Sequence, residues 1–130
     1  MEDMEKKMKY KVFGILGESG CGKDSIVRVL TDATDRIHNV VGYTTRPMRQ
    51  GEVNGVNYYF LTENEFNTKD LITSNKFNIW YYGIGYENLD KDKINICILN
   101  TKSYLDFVSN DNIDLTTFYI KTDEKQRLLR

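Results

Sequence analysis

The chain is poor in the residues that usually staple a small fold: two cysteines, one proline, one histidine and one tryptophan among 130 residues. Cys21 and Cys97 stand in unrelated contexts, which excludes a disulfide framework and a cysteine-based zinc cluster and fits a reducing, cytoplasmic compartment. Long hydrophobic runs are missing as well. The longest, residues 12–16 and 94–99, fall far short of the ~20 residues that span a bilayer. The opening MEDMEKKMKY has no secretory apolar stretch, and residues 2–11 read as a disordered head of mixed charge. Mean hydropathy is −0.54, which agrees. Nor is there a charge excess. With 18 basic residues against 19 acidic, the net charge of −1 argues against a polyanion-coating protein but leaves room for a local phosphate site. Neither a membrane nor a nucleic acid is an expected partner.

What the chain has is one domain's worth of core, with 40% hydrophobic residues. Residues 11–16 read as a buried strand stopped at Gly17. Residues 24–30 carry Ile26, Val27 and Leu30 on one helical face. Residues 39–43, 94–99 and 115–120 are three further strands; the run 94–99 hardly alternates, as expected of a strand covered on both faces. Tyr104, Leu105 and Val108 suggest a second helical face, residues 110–112 a turn, and residues 123–130 the start of a helix capped by Thr122 or Asp123. Strands alternating with helices predict an α/β fold, a parallel sheet flanked by helices. Residues 47–90 differ: rich in tyrosine, they read as a small, partly antiparallel insert. The expectation is a single domain of 1–130, with a core of 9–46 and 91–130 and the insert at about 47–90.

Between the first strand and the first helix, Gly17-Glu18-Ser19-Gly20-Cys21-Gly22-Lys23 fits G-x-x-x-x-G-K. Such glycines let successive backbone N–H groups curl around a phosphate, and the helix N-terminus adds its positive dipole end. Lys23 would reach the outer phosphates as a point charge. The competing reading is a strand–helix turn that binds nothing. The pattern asks for Ser or Thr after the lysine, and this chain has Asp24 followed by Ser25. Either Asp24 gives Mg²⁺ a carboxylate oxygen, or Ser25 takes over the hydroxyl role, or Asp24 only caps the helix. Cys21 reads as a small side chain tolerated in the loop.

After the second strand comes Thr44-Thr45-Arg46-Pro47-Met48-Arg49-Gln50-Gly51-Glu52. Pro47 pushes Arg46 toward extended backbone, so both guanidiniums leave a turn and could grip a second phosphate bidentately. On composition alone, paired surface arginines are as a rule solvated. In sequence, however, this segment, followed by Asn54-Gly55-Val56-Asn57-Tyr58-Tyr59-Phe60, resembles the guanylate kinase signature, and Tyr81-Tyr82-Gly83 resembles that family's tyrosine–tyrosine–glycine element. The resemblance runs from about Lys11 to the chain end. It implies a P-loop nucleoside-monophosphate kinase with a monophosphate-binding insert. ATP would lie with Mg²⁺ on Gly17, Ser19, Gly20, Cys21, Gly22, Lys23, Asp24 and Ser25, the acceptor phosphate on Arg46, Arg49, Tyr58 and Tyr82. Lys23, Arg46, Arg49 and a lid arginine, Arg127, would carry catalysis, and GMP or dGMP would be the favoured acceptor.

The pattern also breaks. The glutamate that reads guanine in the family is missing; in residues 71–80 its place falls to Thr73 or Ile79, unless Glu87 folds back to replace it. The serine before the threonine pair is Gly42, the serine after the tyrosine–glycine pair is Ile84, and the expected leucine–aspartate–x–aspartate element is Leu99-Asn100-Thr101-Lys102. A phosphate grip without its base reader predicts a weakened preference for GMP over AMP. Family members continue into a lid, whereas this sequence stops at Arg130, about one residue off a second lid arginine, as a short variant or a fragment would. The rival readings are a same-fold kinase acting on another nucleotide or a sugar phosphate, and an inactive binding module of the same family. His38 reads as structural or solvated, Tyr59 and Tyr86 as packing residues. An open edge at the last strand would invite homo-oligomers.

Overall fold

The computed structural model describes residues 9–17 and 22–121. Four strands form a parallel sheet: β1 (Tyr10–Gly17), β2 (Ile37–Asn39), β7 (Ile94–Ile98) and β8 (Ile113–Ile120), in the order β2-β7-β1-β8. The register runs from Val12 opposite Asn95 to Ile15 opposite Ile98, and from Tyr10 opposite Ile113 to Gly17 opposite Ile120. Because strand side chains alternate, β1 and β7 bury residues on both faces. One face packs Val12, Cys97, Leu99 and Ile113 around Phe107 of helix α3 (Thr101–Val108); the other packs Ile15 and Ile96 against Val27 of helix α1 (Lys23–Ala33). Here the core matches the expected α/β layering. Tyr10 and Lys11 belong to β1, so the expected disordered head does not extend over them.

The second sheet has the order β4-β3-β6-β5, from β3 (Tyr43–Thr44), β4 (Tyr59–Phe60), β5 (Leu71–Phe77) and β6 (Trp80–Gly85). β5 and β6 form an antiparallel hairpin whose tip holds Asn78 at φ 58°. A one-turn helix, α2 (Glu63–Phe66), starts in a reciprocal cap between Thr62 and Glu65.

Two expectations need correction. Residues 39–43 are not one strand. The ladder with β7 ends where the Val40 amide donates to the Ile96 carbonyl, and after Gly42 the chain enters the other sheet as β3. A side chain at Gly42 would sit 2.6 Å from the Gly83 carbonyl, so the crossing needs a bare backbone there. On α3, Leu105 and Val108 are exposed while Ser103 and Phe107 face the sheet with Tyr104 beside them. An eight-residue helix gives too few turns for apolar identity alone to fix which face turns inward. The helix expected at 123–130 lies outside the described residues.

Candidate active site

Between the two sheets opens a cleft of about 1080 Å³. The parallel sheet contributes Asp24 and Val27 of α1, Asn39, Cys97 and Asn100; the second sheet contributes Tyr43, Tyr58, Thr73 and Tyr82. A smaller cavity of about 450 Å³ lies on the other side of the first turn of α1, lined by Gly17, Lys23, Asn100, Tyr104 and Tyr119. Asn100 borders both. It also starts α3, its side chain accepting from the Ser103 amide at 2.9 Å while the Ser103 hydroxyl accepts from the Asn100 amide.

Gly22 turns the chain into α1 at φ 89°, a conformation that suits glycine and aims the first helical amides outward. Lys23 folds back and donates to the Gly17 carbonyl at 2.7 Å, closing the ends of the glycine loop on each other. Ser19, Gly20 and Cys21 lie outside the described residues, as does Arg127. Asp24 is no cap: it stands one residue inside the helix, exposed and on the cleft wall, and no side chain caps α1. Its carboxylate there sits well with the positive end of the helix dipole. Ser25 follows it, also exposed.

Arg46 is buried, at 5% exposure, and its guanidinium is held by a carboxylate, a carbonyl and two aromatic rings. Nη1 and Nη2 donate to the two Glu52 oxygens at 2.8 and 2.9 Å, and Nη1 also donates to the Pro47 carbonyl at 3.1 Å. The plane lies 5.5 Å from the Tyr58 ring centre and 5.7 Å from that of Phe60. The two hydrogen bonds from Arg46 hold the Glu52 carboxyl down at about 2, with help from the Arg49 amide. Arg49 itself is exposed at the turn. Tyr58 and Tyr82 meet edge to face at 5.8 Å, and burial pushes the Tyr58 phenol up, so it stays a neutral donor. Arg46 thus stands beside Tyr58, which meets Tyr82, while Arg49 faces water at the turn; of the four, the two tyrosines line the cleft and the two arginines do not.

The three residues considered for the missing base reader stand in different places. Ile79 sits at the hairpin tip, 75% exposed, and faces no cleft. Glu87 does not fold into the cleft either: it accepts from the Tyr43 hydroxyl at 2.5 Å and pairs with Lys69 at 3.0 Å. Thr73 is the one of the three on the cleft wall, 5% exposed, and its hydroxyl donates to Asp106 Oδ2 of α3 at 2.7 Å. Reading the sequence missed Asp106 altogether, since nothing local links it to Thr73, 33 residues away. It also treated Glu52 as part of a pattern and not as the clamp on Arg46. The spacing of Arg46 and Glu52 across a proline turn was the available signal.

Other candidates resolve as structural. His38 Nε2 lies 2.8 Å from the Asn88 carbonyl and ties β2 to the 3₁₀ turn Tyr86–Asn88. Tyr86 accepts from Asn110, and Tyr59 packs its ring on Tyr43. Burial pushes the Cys97 thiol up to about 12, so it is inert despite bordering the cleft.

Against known proteins, the sequence model of the family described as guanylate kinase matches residues 9–126. Guanylate kinases of Protochlamydia amoebophila and Methylobacillus flagellatus are 37% and 41% identical over 86 and 80 residues, which is 63% and 58% of this chain. Those stretches are 44% and 40% of the relatives' own lengths, so the chain spans less than half of the curated relatives it matches. The crystal structure of a guanylate kinase from Anaplasma phagocytophilum superposes with a TM-score of 0.63 at 20% identity, covering 95% of this chain and 66% of that one. That likeness supports a shared fold.

Proposed function

The chain belongs to the guanylate kinase family, and from that premise we propose that it transfers the terminal phosphoryl group of ATP to a nucleoside monophosphate, GMP or dGMP first among them. The observation that carries this reading is the clamp on Arg46, an arginine preset by Glu52 beside the two tyrosines of the cleft. Holding a guanidinium in place before the substrate arrives lowers the ordering cost of gripping a phosphate. In the proposed arrangement Arg46, Arg49, Tyr58 and Tyr82 take the acceptor's phosphate, while Gly17, Gly22 and Lys23 take the phosphates of ATP, together with the loop residues between them.

Phosphoryl transfer asks little covalent help of a protein; it asks that two anions be aligned and their charge neutralised. Lys23 is placed to leave the Gly17 carbonyl for a phosphate oxygen, a stronger, charge-assisted partner. The donor set fits Mg²⁺, which binds through one or two carboxylates plus phosphates and water: Asp24 offers an exposed carboxylate on the cleft wall and Ser25 a hydroxyl next to it. Bound there, the ion would offset charge on the transferring phosphates.

The same reading places the protein in the cytoplasm, where ATP and reduced thiols coexist, and treats the two sheets as core and insert of one domain. No helix among the described residues is long and apolar enough to cross a membrane. Homo-oligomers would form through β8, which has no strand on its outer side among the described residues. Light scattering across a concentration series checks that point.

A coupled assay with ATP and Mg²⁺ across GMP, dGMP, AMP, CMP and UMP tests the activity. Turnover of GMP with little of the pyrimidines is the expected result. No turnover of any of them, with GMP still bound, would instead favour a binding module.

A further inference from the structure

We propose that Thr73, with the direction of its hydroxyl fixed by Asp106, reads the hydrogen-bond donors on the edge of guanine, and that this pair sets base preference in this chain. The inference rests on the monophosphate-kinase reading above and extends it to a pair of residues that neither the family match nor the relatives assign.

The argument is one of proton accounting. Asp106 accepts from Lys102 Nζ at 2.7 Å and from the Thr73 hydroxyl at 2.7 Å. These two bonds, Lys102's first, hold its carboxyl below the usual range, so it is ionised at neutral pH and has no proton to give. The Thr73 hydroxyl must therefore be the donor in their bond. Its only proton is spent on Asp106, and its oxygen is left with lone pairs alone. Thr73 is on the cleft wall and 5% exposed, so that oxygen is an acceptor in a site with little water to compete.

An acceptor of fixed polarity discriminates between purines. Guanine presents N1–H and the N2 amino group as donors along its pairing edge, whereas adenine presents an acceptor at N1. A base that leaves a buried oxygen unpaired, or sets a lone pair against it, loses far more than one that lacks a methyl group. The surroundings permit the geometry. α3 packs against β5, so Asp106 reaches Thr73 from outside the cleft that Thr73 lines.

The test is the ratio of kcat/KM for GMP to that for AMP, with ATP saturating, in the wild type and three variants. Thr73→Val keeps shape and removes the oxygen, and the ratio is expected to fall at least ~10-fold. Thr73→Ser restores the hydroxyl and should keep the ratio within about threefold of wild type. Asp106→Asn is the sharper variant, because Asp106 lies at the surface and the change spares the core. An asparagine amide can donate to Thr73, which frees the threonine proton to face the cleft; the ratio is again expected to fall ~10-fold. A role of Asp106 in packing alone would lower both substrates together and leave the ratio in place. Unchanged ratios in Thr73→Val and Asp106→Asn would overturn the proposal while leaving the kinase reading intact. A wild-type chain that turns over neither purine monophosphate would overturn both.

Discussion

Arg46 and Glu52 meet in a two-pronged ion pair, with nitrogen–oxygen distances of 2.8 and 2.9 Å, across the only proline of the chain. The pair is local in sequence and lies against Tyr58, a residue that lines the cleft between the two sheets. It turns a flexible surface residue into a fixed one, because each prong of the guanidinium is satisfied in a single rotamer.

The pair has a pH signature. The Glu52 carboxyl is depressed from 4.5 to about 2 in the folded chain, so its stabilisation is complete above about pH 4.5 and is lost as pH falls toward 2. Thermal melts of wild type and Glu52→Gln are expected to differ at pH 7 and to converge between pH 4.5 and 2. A difference that stays constant down to pH 2 would mean the carboxylate is not what stabilises the turn.

The two arginines should separate when mutated. Arg49 is exposed, so Arg49→Ala is expected to keep the wild-type melting temperature and to raise KM for the monophosphate by about tenfold or more. Arg46→Ala should weaken the same ligand and also lower the melting temperature, because Glu52 loses its partner. Neither should shift KM for ATP by more than about twofold. Equal losses for both nucleotides would dissolve the two-site assignment.

Lys23→Ala should lower kcat by ~10²-fold or more, since a charge aimed at the transferring group acts mainly in the transition state. The Gly17 carbonyl loses its 2.7 Å partner but lies at the loop's edge and can turn to water. Circular dichroism should therefore match wild type. A variant that loses kcat only in proportion to lost helix signal would make Lys23 a structural residue.

Phe107 has no exposed surface and joins α3 to the parallel sheet through Val12, Cys97 and Leu99. Phe107→Ala should cost about 3–5 kcal/mol in urea unfolding. Because α3 carries both Asn100 and Asp106, purine discrimination should suffer under conditions where the variant is still folded. A loss below about 1 kcal/mol would show that the cavity collapses and that α3 is held by its caps instead.

What the sequence determined by itself was whatever is encoded within a few residues. Strand β1, the entry into α1 at Gly22 and the run 94–98 are legible because apolar runs bounded by glycine or by capping residues admit few other structures. The arginine turn is legible for the same reason, Pro47 restricting Arg46, whereas the clamp of Glu52 on Arg46 appeared only in the structure.

Tertiary structure decided the rest. Residues 39–43 look like one strand because Val40 and Val41 are apolar, yet the chain changes sheets there; only the nearness of Gly42 to the Gly83 carbonyl accounts for it. The buried face of α3 was settled by what the sheet presents to it, not by its own apolar residues. Above all, Thr73 and Asp106 carry no joint signal in the sequence. A hydroxyl has no fixed polarity until a neighbour claims its proton, and that neighbour lies 33 residues away, on a helix that the fold brings against β5.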